Sequence, residues 1–417
     1  MPTVIKGEEE GNALDNCRVP DVIVGMAPLL IGAQLLAWIF FIPAALQGHS
    51  SFRQLYTAGY MVRAGHAHEL YDYGAQKSFQ DRLVSPEPVM MPFIRPPFDA
   101  LAYAPLSILS YRMAYLLLFA LNVVLVTLIL FVLHHYTEQL RPRYRWLTAL
   151  LFASFVPLGA ALMMGQDSIL LLALLTLSML ALNKKKDVAA GIFTGLGLFK
   201  FHIVLPLAFL LLFWRRFRFF AAFLCVGAAL AGISLWLVGP EQVRIYVGSL
   251  LSIGGGASGA NQLLRYPLPV SMMPNIHGLV EGTVSSHVQA RLAIGTIALI
   301  ALATFTWAAV SVPRQSAATW AMPVAITTSV FISYYLFVYD LPVLLLPLAM
   351  GVKQSLRPNR SPSNAFVAWA SVLLIFSPAC LFFFSSHFYL VSVPVLLFLV
   401  ALVKNAKYEC RDELVAK

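Results

Sequence analysis

The chain has 417 residues, of which 59% are hydrophobic and only 12% are charged. A soluble domain is roughly half apolar and about a quarter charged, so this sequence has too little charge to cover a water-facing surface. The composition therefore excludes a soluble enzyme, a disordered chain and a fibrous protein, and it predicts an all-α polytopic membrane protein. The net charge of +10 fits Lys and Arg gathered in cytoplasmic loops. No basic run carries the interleaved aromatics of a nucleic-acid platform, so no nucleic acid is expected.

Apolar runs long enough to cross a bilayer, about 20 residues each, recur along the chain. The clear candidates, in chain order, are residues 22–46, 112–135, 147–164, 168–183, 219–238, 288–312, 317–335, 364–384 and 387–403. Shorter runs occupy residues 97–110, 188–199, 203–213 and 341–352.

The first apolar run is interpreted as a retained span, because residues 22–46 are too long for a signal-peptide core and follow an acidic tail. We expect one transmembrane domain over residues 22–403, with cytoplasmic tails at 1–21 and 404–417. The four cysteines give no disulfide framework.

Two threadings of the spans compete. In the first, residues 97–110 cross the bilayer and 188–213 form one long helix, which leaves Lys184–Lys186 outside. In the second, 97–110 lie at the surface or re-enter, and 188–199 and 203–213 are two short helices of about 18 Å each. The second threading is favoured because it puts every basic cluster on one side. The clusters are Arg141, Arg143 and Arg145; Lys184–Lys186; Arg215, Arg216 and Arg218; Arg314; Lys353, Arg357 and Arg360; and Lys404, Lys407, Arg411 and Lys417. This threading gives about 12 transmembrane helices, with both termini cytoplasmic.

The second threading gathers polar residues at the outer ends of the spans. They are joined there by two long extracytoplasmic segments, residues 47–111 and 239–287. Ionisable residues at membrane depth are costly and usually mark a function. The outer polar residues are Gln166, Asp167, Lys200, His202, Tyr339, Asp340, Ser386 and His387.

Lys200, in "LFKFHIV", stands between two apolar halves and is the sharpest of these signals. It either pairs with Asp167 or Asp340 as a structural group, or it holds an anionic group of a ligand. His202 and His387 have two interpretations in the same way: each is either an interfacial histidine or a ligand contact. The nine histidines show no metal-ligand spacing, so neither a metal nor another cofactor is expected.

Residues 50–82 show helical spacing of apolar and aromatic side chains, including Tyr56. The pattern predicts amphipathic helices in the first extracytoplasmic segment, lying on the outer surface of the bilayer. Arg53 and Arg95 are placed to meet phosphate groups there.

The order of several stretches resembles glycosyltransferase family 87, whose members use polyprenyl-phosphate sugars and include mannosyltransferases. The stretches are "SFRQLYTAGYMVRAGHAHELYDY", "RPPFDALAYAPLSILSYRMAYLLLFALNVV", "GQDSILLLALLTLSMLAL", "VAAGIFTGLGLFKFHIVLPLAFLLLFWRR", "GPEQVRIYVGSLL" and "YDLPVLLLPL". Each motif alone is degenerate, and their order and spacing over most of residues 47–350 carry the resemblance.

The resemblance implies a C-type glycosyltransferase fold in the plasma (inner) membrane with an extracytoplasmic active site. A hexose, such as the mannose that the best-known members transfer, would pass from a polyprenyl-phosphate donor to a glycan or glycolipid acceptor, among membrane lipids and without a cofactor. The rival interpretations are a transporter or flippase, and a catalytically silent binder of lipid-linked sugars.

One position departs from the family pattern. The family commonly has an Asp before the Phe of its "DF" motif, which looks like the catalytic base, and this chain has Ser51 there. Other carboxylates on the outer side are therefore needed, and Asp340, Asp72 and Asp167 are the candidate bases, beside Glu69 and Asp99. The expected substrate-binding residues are Arg53, Tyr56, Arg95, Gln166, Lys200, His202, Tyr339 and His387.

Overall fold

The computed structural model describes residues 19–88, 90–137, 146–255, 272–283, 287–312, 317–355, 362–382 and 387–415, and these contain no β-strand. The predicted basic residues Arg141, Arg143, Arg145, Arg314, Arg357 and Arg360, and also Ser386, lie outside that range. The α-helices, in chain order, are α1 (Val19–Leu46), α2 (Phe52–Arg63), α3 (Tyr73–Leu83), α4 (Pro97–Tyr103), α5 (Tyr111–Thr137), α6 (Leu147–Ser154), α7 (Val156–Met163), α8 (Ser168–Asn183), α9 (Asp187–Leu196), α10 (Phe201–Phe213), α11 (Phe217–Gly255), α12 (Ile276–Thr283), α13 (His287–Ser311), α14 (Ala317–Ile332), α15 (Leu345–Ser355), α16 (Pro362–Phe376) and α17 (Ser392–Val415).

Large apolar side chains face outward along these helices. Phe40, Phe131 and Trp236 are 71%, 77% and 80% exposed, which a water-soluble surface does not tolerate in such number. Among the described residues, five helical runs are long and apolar enough to cross a membrane. The protein is therefore a multi-pass membrane protein. The five runs are Asp21–Leu46, Tyr111–Leu133, Asp187–Phe213, Phe217–Leu250 and Phe388–Glu409.

The run Asp187–Phe213 is a pair of helices and not one straight span. A straight helix of 27 residues would be about 40 Å long, yet a guanidinium nitrogen of Arg216 lies 3.2 Å from Asp187 Oδ1. The chain must fold back between α9 and α10, where the 3-10 helix Gly197–Lys200 intervenes. The predicted pair of short helices is confirmed by this ion pair.

Close glycine contacts fix the direction of α9 against α11. A Cβ atom on Gly191 would lie 2.2 Å from the Phe219 carbonyl oxygen, and one on Gly195 would lie 2.8 Å from Val226 Cβ. Both glycines therefore allow the two helices to approach closely, and the order of contacts shows that they run in the same direction.

The bundle has two chemically different ends. Asp167, Lys200 and Asp340 meet at one end, which we call the ionic end. The Lys184–Lys186 turn and the Arg215–Arg216 turn lie at the other, which we call the basic end, since Asp187 and Arg216 are paired there. Each of α8, α9 and α10 therefore runs from one end to the other.

The segment 47–111 covers the ionic end, and it differs from the prediction in one respect. Eight of the twelve residues of α2 are buried, because α2 packs on α4, where a Cβ on Gly59 would lie 2.5 Å from the Tyr103 carbonyl carbon. The helix is thus part of the protein interior and does not lie flat on the bilayer. Residues 97–110 form α4 and the 3-10 helix Leu106–Ile108, so they do not cross as one span.

Candidate active site

The loop between α7 and α8 aims a carboxylate into the ionic end. Gly165 has φ +59°, a left-handed conformation that suits glycine, and a Cβ there would lie 2.8 Å from Phe52 Cβ. Asp167 occupies the N-cap position of α8, yet its side chain makes no cap hydrogen bond. Its carboxylate instead pairs with Arg95, and its Oδ1 lies 3.0 Å from Lys200 Nζ. The loop therefore supplies a charged group to the site.

Lys200 stands where α9 gives way to α10. Its backbone (φ −115°, ψ 58°) interrupts the helical path, which turns the side chain into the bundle. The ammonium lies 2.5 Å from Asp340 Oδ1 and 3.0 Å from Asp167 Oδ1, and the side chain is 3% exposed. Both pairings that the sequence left open for Lys200 are therefore present at once.

Asp340 is fixed by two neighbours besides the lysine. It lies in the 3-10 helix Val338–Leu344 and is 2% exposed. Ser168 Oγ donates to its Oδ1 at 3.0 Å, and the Phe337 backbone N–H donates to its Oδ2 at 3.0 Å. The ring of Tyr339 lies 5.9 Å from Lys200 Nζ, within reach of a cation–π contact.

Arg95 extends the cluster toward the segment that covers the ionic end. One of its guanidinium nitrogens pairs with Asp167 and lies 3.3 Å from Asp99 Oδ2, while the other donates to Gln166 Oε1 at 2.9 Å. Five charged side chains thus alternate in sign. In order of contact they are Asp99, Arg95, Asp167, Lys200 and Asp340.

Asp99 lies at one end of this series of charged groups, and its pKa is shifted. Its residue is 4% exposed, and it lies on α4, outside the membrane-spanning segments. Burial raises its pKa to about 7, although the positive charge of Arg95 opposes this shift. A carboxyl with such a pKa is partly protonated near neutral pH. The net charge of the five groups therefore lies between −1, with three carboxylates ionised against two cations, and zero.

A cavity of about 160 Å³ opens on the cluster. Arg95, Lys200 and Asp340 reach its wall, and His202 and Tyr339 line it beside them. His202 Nε2 is buried without a hydrogen-bond partner in the part of the chain that the structure describes. The lining is completed by Gln54, Ile94, Phe199, Phe201, Leu250, Tyr334 and Tyr335. Charged and aromatic groups in one small chamber suit a polar ligand with an apolar face.

The arginine and tyrosine predicted on α2 are engaged elsewhere. Arg53 is 1% exposed and donates to Gln80 Oε1 at 3.1 Å and to the Ser85 carbonyl at 2.5 Å. Burial lowers its pKa, which the nearby carboxylates of Glu87 and Asp81 oppose. The Tyr56 hydroxyl donates to the Leu109 carbonyl at 2.8 Å. Both side chains brace the covering segment.

Asp72 and His387 also lie apart from the cluster. Asp72 caps α3, accepting from the backbone N–H groups of Gly74 and Ala75 at 2.8 and 3.1 Å. His387 is exposed before the 3-10 helix Phe388–Val391, with its ring 5.9 Å from that of Tyr389. In the described chain, neither residue is among those that line the cavity.

Ser51 precedes α2 close to the loop that carries Asp167. The next residue, Phe52, donates its backbone N–H to the Met164 carbonyl at 3.1 Å. Gln54, one turn further along α2, lines the cavity. Ser51 is therefore near the site in the fold, although no contact in the described residues joins it to the five charged groups.

Three polar contacts beside the cavity wall were not predicted from the sequence. Asn275 donates to the Ser333 carbonyl at 2.6 Å, and His277 contacts the Tyr334 carbonyl through Nδ1 at 2.5 Å. His277 Nε2 lies 2.9 Å from Glu281 Oε1. The i, i+4 spacing of that His and Glu was the available signal. These contacts fasten α12 to Tyr334, which lines the cavity.

Fold and site together define a multi-pass α-helical membrane protein with a buried ionic cluster at one end of its bundle. The model of glycosyltransferase family 87 matches residues 93–334, more than half of the chain. The chain belongs to glycosyltransferase family 87, as the sequence predicted, and is accordingly a membrane glycosyltransferase. No curated protein and no solved structure matches it.

Proposed function

We propose that the protein transfers a hexose from a polyprenyl-phosphate donor to an extracytoplasmic glycan or glycolipid acceptor, at the cavity beside the ionic cluster. The observation that carries this proposal is the placement of Arg95, Lys200 and Asp340 on one chamber, at the end of the bundle opposite the basic turns. Basic turns face the cytoplasm, so the ionic end faces outward.

The proposed topology has twelve crossings in a C-type arrangement, with both termini in the cytoplasm of a plasma-membrane protein. Two contacts support it. Trp214 Nε1 donates to the Ala309 carbonyl at 3.0 Å and Trp320 Nε1 donates to Glu409 at 2.6 Å. The first contact joins the C-terminal ends of α10 and α13, and the second joins the start of α14 to the C-terminal part of α17, as alternating directions require.

The donor chemistry suits the cations of the cavity. An acceptor hydroxyl oxygen attacks the anomeric carbon, the bond from that carbon to the phosphate oxygen breaks, and the phosphate leaves with the electron pair. Fixed positive charge stabilises the growing negative charge, and Arg95 and Lys200 supply it. The hydroxyl proton goes to a carboxylate within hydrogen-bond reach. The displacement inverts the anomeric configuration.

Asp340 is the favoured base among the three candidates. It lines the cavity, whereas Asp72 is committed to capping α3 and Asp167 is not among the described residues that line the cavity. Ser51 has no basic group near neutral pH, so it is assigned no proton transfer. Ser51→Asp tests this: unchanged transfer supports another carboxylate as base, and a large gain would point to a base lost at position 51.

The test is a transfer assay on the full chain in liposomes. Polyprenyl-phosphate mannose carrying a labelled sugar is supplied with a crude lipid-glycan acceptor, and a nucleotide-linked mannose is the matched control donor. Label should reach the acceptor from the lipid donor alone. Transfer only from the nucleotide donor would contradict the proposal. Movement of the lipid donor across the bilayer without transfer would favour a flippase instead.

A further inference from the structure

An apolar groove of about 700 Å³ runs along the outside of the bundle between α10 and α13. Leu205, Phe209 and Phe213 form one wall, and Leu302 and Phe305 form the other. Phe209 and Leu302 remain 48% and 63% exposed. The described residues that line the groove are all apolar, so its occupant must be apolar over this whole length.

On α10, the groove begins one helical turn from the cavity of the ionic end. On α10, His202 lies on the same helical face as Leu205, Phe209 and Phe213, because these positions are three, four and four residues apart. His202 lines the cavity and the other three line the groove. The distance along the helix from His202 to Phe213 is about 16 Å.

The groove and the cavity are also neighbours at the end of α14. Ile332 ends α14 and lines the groove, and Tyr334 and Tyr335 follow it and line the cavity. Two different helices therefore lead from the groove into the chamber where the charged side chains meet. A ligand that fills both must carry a polar head on an apolar chain.

We infer that this groove holds the first part of the polyprenyl chain of the donor while its sugar phosphate occupies the cavity. The inference rests on the proposed function, which it deepens by naming the tail site. An ordinary bilayer lipid fits less well, because its head group stays in the interfacial layer and does not enter a chamber lined by Lys200 and Asp340. A partner helix fits less well too, because Phe209, Phe213 and Leu302 are bulky where helix pairs in membranes use small residues.

The test places a bulky side chain in the groove and compares donors whose prenyl chains differ in length. Ala301 lines the groove, and Ala303, two residues along α13, is exposed outside it. The ratio of kcat/KM for a long-chain donor to that for a short, water-soluble prenyl-phosphate mannose should fall about tenfold in Ala301→Trp, since losing the burial of about two methylenes suffices. Ala303→Trp, the matched control, should keep the wild-type ratio. Equal ratios in both variants and wild type would overturn the tail site.

A second measurement separates this inference from the proposed function. Wild-type protein is irradiated with sugar-free polyprenyl phosphate that carries a diazirine near its phosphate end, and the labelled peptides are mapped. Label concentrated on residues 205–213 and 301–305 supports the tail site even where no transfer is detected, in which case only the transferase proposal fails. Label spread evenly over the lipid-facing helices would overturn the tail site, whatever the transfer assay gives.

Discussion

Charged residues that stand in apolar runs are the part of the site that the sequence predicts most directly. Lys200 and Asp340 stand in otherwise apolar runs, and burying them unpaired would be costly, so a partner was to be expected for each. The structure pairs them at 2.5 Å. Arg53 is different, because nothing in its local pattern distinguishes a guanidinium bound to Gln80 and Ser85 from one that faces a phosphate. Only the tertiary packing decides that.

Asp99 should make folding stability depend on pH. Its folded pKa of about 7 exceeds the ordinary value of 3.8 because the carboxyl is buried. Between those values the folded state binds more protons than the unfolded state, so the free energy of unfolding falls as pH rises from about 4 to about 7 and levels off above that.

The measurement is thermal unfolding in detergent across that pH range. Asp99→Asn removes the titrating group, so this variant should lose less stability than wild type between pH 4 and pH 7. Glu241→Gln changes an exposed carboxylate and should follow wild type. Parallel curves for Asp99→Asn and wild type would show that Asp99 does not titrate in this window.

Helices were predictable from the sequence where the hydropathy pattern alone determines where they begin and end. The short helices α9 and α10 follow from the interruption of the apolar pattern at Lys200, and the basic turns on either side favour their return. The burial of α2 was not predictable from its amphipathic pattern, because an amphipathic helix packs equally well on a bilayer or on protein. The contact of Gly59 with Tyr103 settles the difference. Likewise, α12 lies in a stretch with no clear period.

The α9–α11 contact depends on glycine. In Gly191→Ala, the added Cβ would lie 2.2 Å from the Phe219 carbonyl oxygen, so the helices must separate, at a cost of about 1–3 kcal/mol. Gly232→Ala on α11 meets no atom within 4 Å and should be neutral or stabilising by about 0.5–1 kcal/mol. Thermal unfolding of both variants measures this. Equal stability of the two would show that α9 and α11 are not packed so closely.

At the scale of the whole molecule, the proposed function depends on the chemical difference between the two ends of the bundle. The basic turns lie at one end and the ionic cluster at the other, and the covering segment 47–111 encloses the cluster. The positive-inside pattern of the sequence predicts both ends. Arg95 and Asp99 were among the predicted site residues, but so were Arg53, Tyr56 and Asp72 of the same segment. No feature of the sequence separates the side chains that reach the cluster from those that do not.

Sidedness is measurable with single cysteines in a background where Cys17, Cys225, Cys380 and Cys410 are replaced. His68→Cys, in the covering segment, should react with a membrane-impermeant maleimide in intact cells. Lys184→Cys, at the basic end, should react only after the cells are opened. Labelling of Lys184→Cys in intact cells would instead support a threading in which residues 188–213 cross once.

The central claim is that the ionic cluster performs sugar transfer, and one pair of variants tests it most directly. Asp340→Asn removes the charge of the proposed base, while Asp187→Asn disrupts a comparable ion pair with Arg216 at the basic end. With protein shown to be folded, the rate of transfer from polyprenyl-phosphate mannose should fall about a hundredfold or more in Asp340→Asn, the usual effect of losing a general base. Asp187→Asn should retain nearly the wild-type rate. A wild-type rate in folded Asp340→Asn would contradict the account.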